Sequence, residues 1–247
     1  MTSLLHLDSS ANTSGESVSR QLTASFADTW RDLHGSDGYR YRDLVADPVP
    51  PLDTAYCTLG RRLGQHGLVP PAEVAALLES PAEEQQWALT YPLVTELLAA
   101  ETVLIGAPMY NYSVPASLKA WIDRVTFPGA YTDPDTGDSL LRETSVVVIT
   151  PRGGTYGQGT PREAWDFHTP YLRTYLRGLG VSEENLCFVS AELTLSGLVP
   201  HLGHLQPLAA RSLAEARVRV AALCGGGATE RWPARGRTAA PSPSTTR

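Results

Sequence analysis

Ser3-Leu4-Leu5-His6-Leu7-Asp8 runs directly into Ser9-Ser10-Ala11-Asn12-Thr13-Ser14-Gly15-Glu16-Ser17-Val18-Ser19, and this stretch decides the fold. A short apolar run ends at an acidic residue and a hydroxyl-rich turn follows. From Ser17 to Leu33 the apolar residues Val18, Leu22, Phe26 and Trp30 then recur four apart. That is a buried strand feeding an amphipathic helix. Working outward, similar β-rich runs occupy Tyr39 to Leu44, Thr102 to Ala107, Ser145 to Thr150 and Asn185 to Ser190. The Tyr39 run is the most polar of them and suits a sheet edge. Helical patterns fill the intervals at Leu89 to Ala100, Pro115 to Thr126, Thr160 to Leu179 and Pro207 to Leu223.

Apolar strands alternating with helices predict an α/β fold: a flavodoxin-like, doubly wound, five-stranded parallel sheet with helices on both faces. The chain has 247 residues, 42% hydrophobic and 19% charged, which suits one domain with a real core. A net charge of −6 with Lys119 as the only lysine leaves no basic stripe for a nucleic-acid backbone. Cys57, Cys187 and Cys224 are scattered without CxxC spacing, so neither a metal site nor a disulfide framework is expected, and reduced thiols fit a cytoplasmic protein. No run approaches the roughly 20 apolar residues of a membrane helix, and the first residues lack the layout of a signal peptide. The domain is expected to span residues 1–224. The stretch 225–247, rich in Gly, Thr, Arg, Pro and Ser, reads as a disordered tail.

In doubly wound sheets, ligands sit beyond the carboxyl ends of the strands. After the first strand, Ser10 and Ser17-Val18-Ser19 place hydroxyls at a helix N-terminus, where unpaired N–H groups favour an anion. The pattern is neither GxGxxG nor a P-loop, which argues for a lone phosphate, although Ser14 or Ser17 could also simply cap the helix. After the third strand, Met109-Tyr110-Asn111-Tyr112 sets aromatics and an amide between prolines, a place where a flat ring could rest. After the fourth, Pro151-Arg152-Gly153-Gly154 opens a glycine-rich turn that lets backbone amides approach a ligand.

At these residues the chain resembles the FMN-dependent NAD(P)H azoreductases and related quinone reductases. The resemblance rests on Asp8-Ser9-Ser10 with Ser17-Val18-Ser19, on Ala107 to Tyr112 with Pro115, Leu118-Lys119 and Ile122-Asp123, on Ile149 to Gly154, and on Thr169-Pro170-Tyr171-Leu172 leading to Gly180. It implies that Ser10 and Ser17 to Ser19 hold the FMN phosphate. Met109, Tyr110, Asn111 and Tyr112 would then line the isoalloxazine and ribityl, and Pro151, Arg152, Gly153 and Gly154 would meet the pyrimidine end. It further implies a homodimer with flavin sites at the interface. The implied reaction is a ping-pong cycle in which NADH or NADPH delivers hydride to flavin N5 and a quinone or azo acceptor is reduced, with no obligatory catalytic side chain. Alternatives are a flavodoxin-like electron carrier, or a flavoenzyme of altered chemistry acting on a specialised metabolite.

Three departures bear on the substrate. Residues 124–131 look contracted where the family carries an element that helps roof the flavin. Pro151 replaces a common serine and Leu193 a common glycine. Outside the loops, His168 reads as a structural hydrogen-bonder or a proton donor, and His201 and His204 as solvated. Arg61-Arg62 is a candidate for cofactor phosphate or a solvated pair, Glu83-Glu84 opens a helix after Pro81, and Asp53 to Pro81 is expected to reach over the active site or a partner.

Overall fold

The computed structural model describes residues 2–225. Five strands, β1 (Leu4–Asp8), β2 (Tyr39–Asp43), β3 (Thr102–Gly106), β4 (Ser145–Pro151) and β5 (Leu186–Ala191), form one parallel sheet in the order β2-β1-β3-β4-β5. Side chains on successive strand positions alternate between two cores, as the two-residue strand period requires. Leu5, Leu7, Val103, Ile105, Val146 and Val148 face one side, where helices α2 (Thr54–His66), α3 (Pro81–Leu98), α4 (Ala116–Val125) and α5 (Thr169–Gly178) pack. Leu4, Leu104, Val147, Ile149, Cys187 and Val189 face the other, against α1 (Val18–His34) and α6 (Gln206–Gly225). Strand β2 has one neighbour and is largely solvent-facing, which matches its polar sequence.

Helix boundaries differ from the sequence expectation where capping decides them. Helix α3 starts at Pro81 rather than Leu89, because Ser80 Oγ accepts the Glu83 N–H at 3.3 Å and Pro81 fits the first turn. Glu83 and Glu84 do open that helix, as expected. Helix α5 starts at Thr169 rather than Thr160. Asp166 Oδ1 accepts the N–H groups of His168 and Thr169 at 3.0 and 2.9 Å, and residues 160–168 hold only a short 3-10 turn at Glu163–Trp165. The tail expected over 225–247 lies outside the described residues, except that α6 itself extends to Gly225.

The segment from Asp53 to Pro81 packs Tyr56, Leu59, Leu63 and Val74 into the core of its own chain, with most of its other residues exposed or half-buried. Asp53 caps α2 by accepting the Tyr56 N–H at 2.9 Å, and Tyr56, Leu59 and Leu63 are buried against α3. Arg62 pairs with Glu83 at 2.7 Å and Glu79 at 2.6 Å, so it is already committed within this face. The contracted segment also turns inward. The Phe127 ring packs 5.4 Å from Tyr56 and 5.0 Å from Trp87, and Tyr131 donates its hydroxyl to Val125 O at 2.8 Å. Phe127 is therefore a core residue here, not a roof over its own chain's loops.

His168, just ahead of α5, is fully buried, and neither ring nitrogen has a hydrogen-bond partner in the structure. It is thus neither the structural hydrogen-bonder nor the accessible proton donor that its sequence context offered. Burial, reinforced by the Arg152 charge, lowers its pKa to about 4, with Asp166 opposing.

Two outcomes follow from this packing. Phe127→Ala should cost about 3–5 kcal/mol by opening a cavity between Tyr56 and Trp87, read as a fall in the urea midpoint; an unchanged midpoint would show that the ring is not core. His168 favours the neutral form when folded, so its contribution is complete above its unfolded pKa of about 6.5 and fades as the pH falls toward 4. The wild type should lose about 3 kcal/mol more than His168→Leu over that window. Parallel stability curves for the two proteins would contradict this.

Candidate functional site

The carboxyl edge of the sheet gathers three loops, and the first carries a cluster of hydroxyls. Ser10, Ser17 and Ser19 are all buried. Ser17 Oγ donates to Ser10 Oγ at 3.0 Å and lies 3.2 Å from Ser19 Oγ, while Ser10 Oγ lies 3.4 Å from the Tyr110 hydroxyl. Ser17 occupies the N-cap position of α1, yet its side chain caps no N–H. The first backbone donor in the helical ladder is Gln21, bonded to Ser17 O at 3.0 Å. The N–H groups of Val18, Ser19 and Arg20 therefore lie at the positive end of the helix without intrahelical acceptors. Simple capping by Ser17 does not describe this loop. The hydroxyl cluster thus sits at a helix head whose amides have no intrahelical acceptor, and a phosphate matches that donor set.

Charged groups brace the cradle from beneath. Arg20 donates to both carboxylate oxygens of Asp43, at 2.7 and 2.8 Å, and to Ser10 O at 3.0 Å. That pairing lowers Asp43 to about 2. Burial pushes Asp8 upward, but His6, Thr23 and Tyr41 outweigh it and hold the carboxyl below its ordinary value. Asp8 fits only because Gly106 has no side chain: a Cβ there would stand 2.4 Å from Asp8 Oδ1.

The second loop is a tight turn. Tyr110 and Ser113 exchange both backbone hydrogen bonds at 3.0 Å, with Asn111 and Tyr112 at φ values of 48° and 72°. Left-handed backbone is uncommon for asparagine and costly for tyrosine, and such strain persists where the surroundings hold it. The Tyr110 hydroxyl accepts the Ala11 N–H at 3.1 Å, and Met109 N–H donates to Pro151 O at 2.9 Å, so this turn is tied to both neighbouring loops.

In the third loop Pro151 ends β4, and Gly153 and Gly154 face a cleft of about 570 Å³ together with Met109, Asn111 and Tyr112. The N–H groups of Asn111, Tyr112, Gly153, Gly154 and Thr155 make no hydrogen bond to protein among the described residues. They are donors available to the polar edge of a ring. Arg152 points elsewhere: its buried guanidinium meets Asp166 at 3.0 Å and also bonds Thr169 Oγ1, locking this loop to the start of α5. Only its backbone, which donates to Ala191 O at 2.8 Å, lies along the sheet edge.

Of the residues singled out from sequence, Ser10, Ser17, Ser19, Met109, Tyr110, Asn111, Tyr112, Pro151, Gly153 and Gly154 are brought to this edge by hydrogen bonds or shared cleft walls, while Val18, the first residue of α1, packs its side chain against the core under that helix. His168 stays beneath it, buried. His201, expected to be solvated, is exposed but also lines the cleft. Leu193, noted in the sequence as a departure, lines the cleft; what sequence reasoning missed is the rest of the far wall, Leu195, Val199, Leu202 and Leu205, which follow β5. The repeated aliphatic residues after the fifth strand were the available signal, since that segment also leaves the carboxyl edge. Leu193 itself has φ 61°, the left-handed backbone that a glycine adopts without strain.

The sheet edge suits FMN, since it carries a hydroxyl cluster at the head of α1 for a phosphate and, past Tyr110, a cleft with unpaired amides beside apolar and aromatic walls. Residues 2–192 match the family described as having a flavodoxin-like fold. The chain is 42% identical over 193 residues to a Nocardia farcinica protein named FMN-dependent NADH:quinone oxidoreductase, covering 78% of this chain and 84% of that one. It is 38% identical over 216 residues to a Frankia casuarinae protein of the same name, covering 87% and 95%. An azoreductase crystal structure from Bacillus anthracis superposes with a TM-score of 0.72 over 91% of this chain and 99% of that chain, at 19% identity, a likeness of fold. The chain belongs to the flavodoxin-like family, among the relatives named FMN-dependent NADH:quinone oxidoreductases.

Proposed function

We propose that this chain is an FMN-dependent oxidoreductase that uses NADH to reduce quinones and azo compounds. The observation that carries the reading is the cluster of Ser10, Ser17 and Ser19 hydroxyls at the unpaired head of α1, joined through Tyr110 to the turn that walls a cleft with unpaired amides. The names of the relatives point the same way. Overall, NADH, a proton and a quinone give NAD⁺ and the hydroquinone. Bound FMN supplies the electron-transfer chemistry, which no side chain of this site provides alone.

The protein's part is binding and placement. Serine hydroxyls and first-turn amides of α1 would hold the phosphate, and the Met109–Tyr112 turn and the Gly153–Gly154 backbone would hold the ring. Aliphatic walls keep water from the reacting face. Arg152 acts at a distance, fixing the third loop through Asp166 and Thr169.

A homodimer is part of this proposal. Tyr112, Trp165 and Phe167 form an exposed aromatic rim beside the cleft, with Phe167 62% exposed, and apolar rims of this kind favour a covering partner. A cytoplasmic setting is supported by the absence of any disulfide among Cys57, Cys187 and Cys224. Among the described residues no helix is long and apolar enough to cross a membrane.

The reading is tested by recording the visible spectrum of the FMN-loaded protein without oxygen. NADH should bleach the oxidised flavin bands, and 1,4-naphthoquinone should restore them. Bound flavin that NADH leaves unbleached would overturn the assignment.

A further inference from the structure

The cleft has more wall than the three loops supply. Its far end is lined by Leu195, Val199, Leu202 and Leu205, and among the described residues Arg162 is the one arginine that borders it. The Arg162 guanidinium lies against the third loop, with Nη1 3.2 Å from the point a Cβ on Gly154 would occupy. Carboxylates of the same loops have other partners. Asp166 pairs with Arg152 at 3.0 Å, Glu192 accepts the Tyr156 N–H at 3.0 Å, and Glu163 accepts the Gly159 N–H at 2.7 Å. Arg162 thus has no ion pair among the described residues, and its guanidinium carbon stands 5.9 Å over the Trp165 ring.

Arg162 is itself exposed at the mouth of an apolar cleft, so an anion that arrives with apolar surface attached meets the guanidinium at the rim while its apolar part is buried inside. We infer that Arg162 is a specificity-determining residue, and that this end of the cleft takes an aromatic acceptor bearing an anionic substituent such as a sulfonate or carboxylate. The ring system rests against the leucines while the substituent meets the guanidinium; the substituent takes no part in the electron transfer. This inference rests on the oxidoreductase reading above for the identity of the ligand as acceptor. The Arg162 fork also permits two parallel hydrogen bonds to such a group, which a lysine does not reproduce.

The test compares 1,4-naphthoquinone with 1,4-naphthoquinone-2-sulfonate in FMN-loaded wild type, Arg162→Met and Arg162→Lys. In Arg162→Met the KM ratio of sulfonated to parent quinone should rise about tenfold over wild type, with Arg162→Lys in between. Binding of non-reducible naphthalene-2-sulfonate, followed by fluorescence, should weaken by a similar factor without any turnover. An unchanged ratio together with unchanged sulfonate binding would overturn the inference. So would a loss confined to the KM of NADH or NADPH, which would assign Arg162 to the donor's phosphates. If sulfonate binding depends on Arg162 but neither quinone is turned over, the anionic subsite stands and the oxidoreductase reading fails.

Discussion

Three buried serine hydroxyls at the head of α1 are directed at one another instead of at the helix's own amides, and the site is organised around that choice. An N-cap serine normally satisfies a first-turn N–H. Here Ser17 is turned toward Ser10 and Ser19, so the helix end keeps its unpaired donors and its positive dipole for an incoming anion. The arrangement is costly without a ligand, because buried donors are left underused, and favourable with one. From this point ties run across the sheet edge. Ser9 Oγ donates to Gly106 O at 2.6 Å, Tyr110 reaches back to Ala11, Met109 bonds Pro151, and Leu193 N–H donates to Gly154 O at 3.2 Å.

The same edge concentrates strain and uncompensated charge. Asn111, Tyr112 and Leu193 are the non-glycine residues with left-handed backbone among those described, and all three line the cleft. Beneath the edge, Arg20 and Arg152 are matched to carboxylates, each holding one loop, whereas Arg162 at the rim is not. Paired arginines set loop geometry, whereas Arg162 at the cleft rim has no ion pair among the described residues.

Much of this was legible in the sequence, and the rest was hidden for physical reasons. Runs such as Val146-Val147-Val148-Ile149 announce buried parallel strands, and the tyrosines and arginines of β2 announce an edge. The hydroxyl loop and the Met109–Tyr112 turn stood out because their residue types match a phosphate and a flat ring. Side-chain direction did not: Arg152 was recognised by type, yet it faces Asp166, a contact made across 14 residues of chain that only folding reveals. Helix starts at Pro81 and Thr169 were set by caps on Ser80 and Asp166, local bonds weaker in the sequence than the apolar pattern around them. The far wall escaped because aliphatic residues after β5 read as ordinary core until their common cleft is seen.

The central claim is that the head of α1 is a phosphate cradle, and titration of the apoprotein with FMN and with riboflavin tests it most directly. FMN should bind once per chain and at least about 100-fold more tightly than riboflavin. That preference should largely vanish when Ser17→Ala and Ser19→Ala are combined. Equal affinity for the two flavins in the wild-type protein would contradict the account.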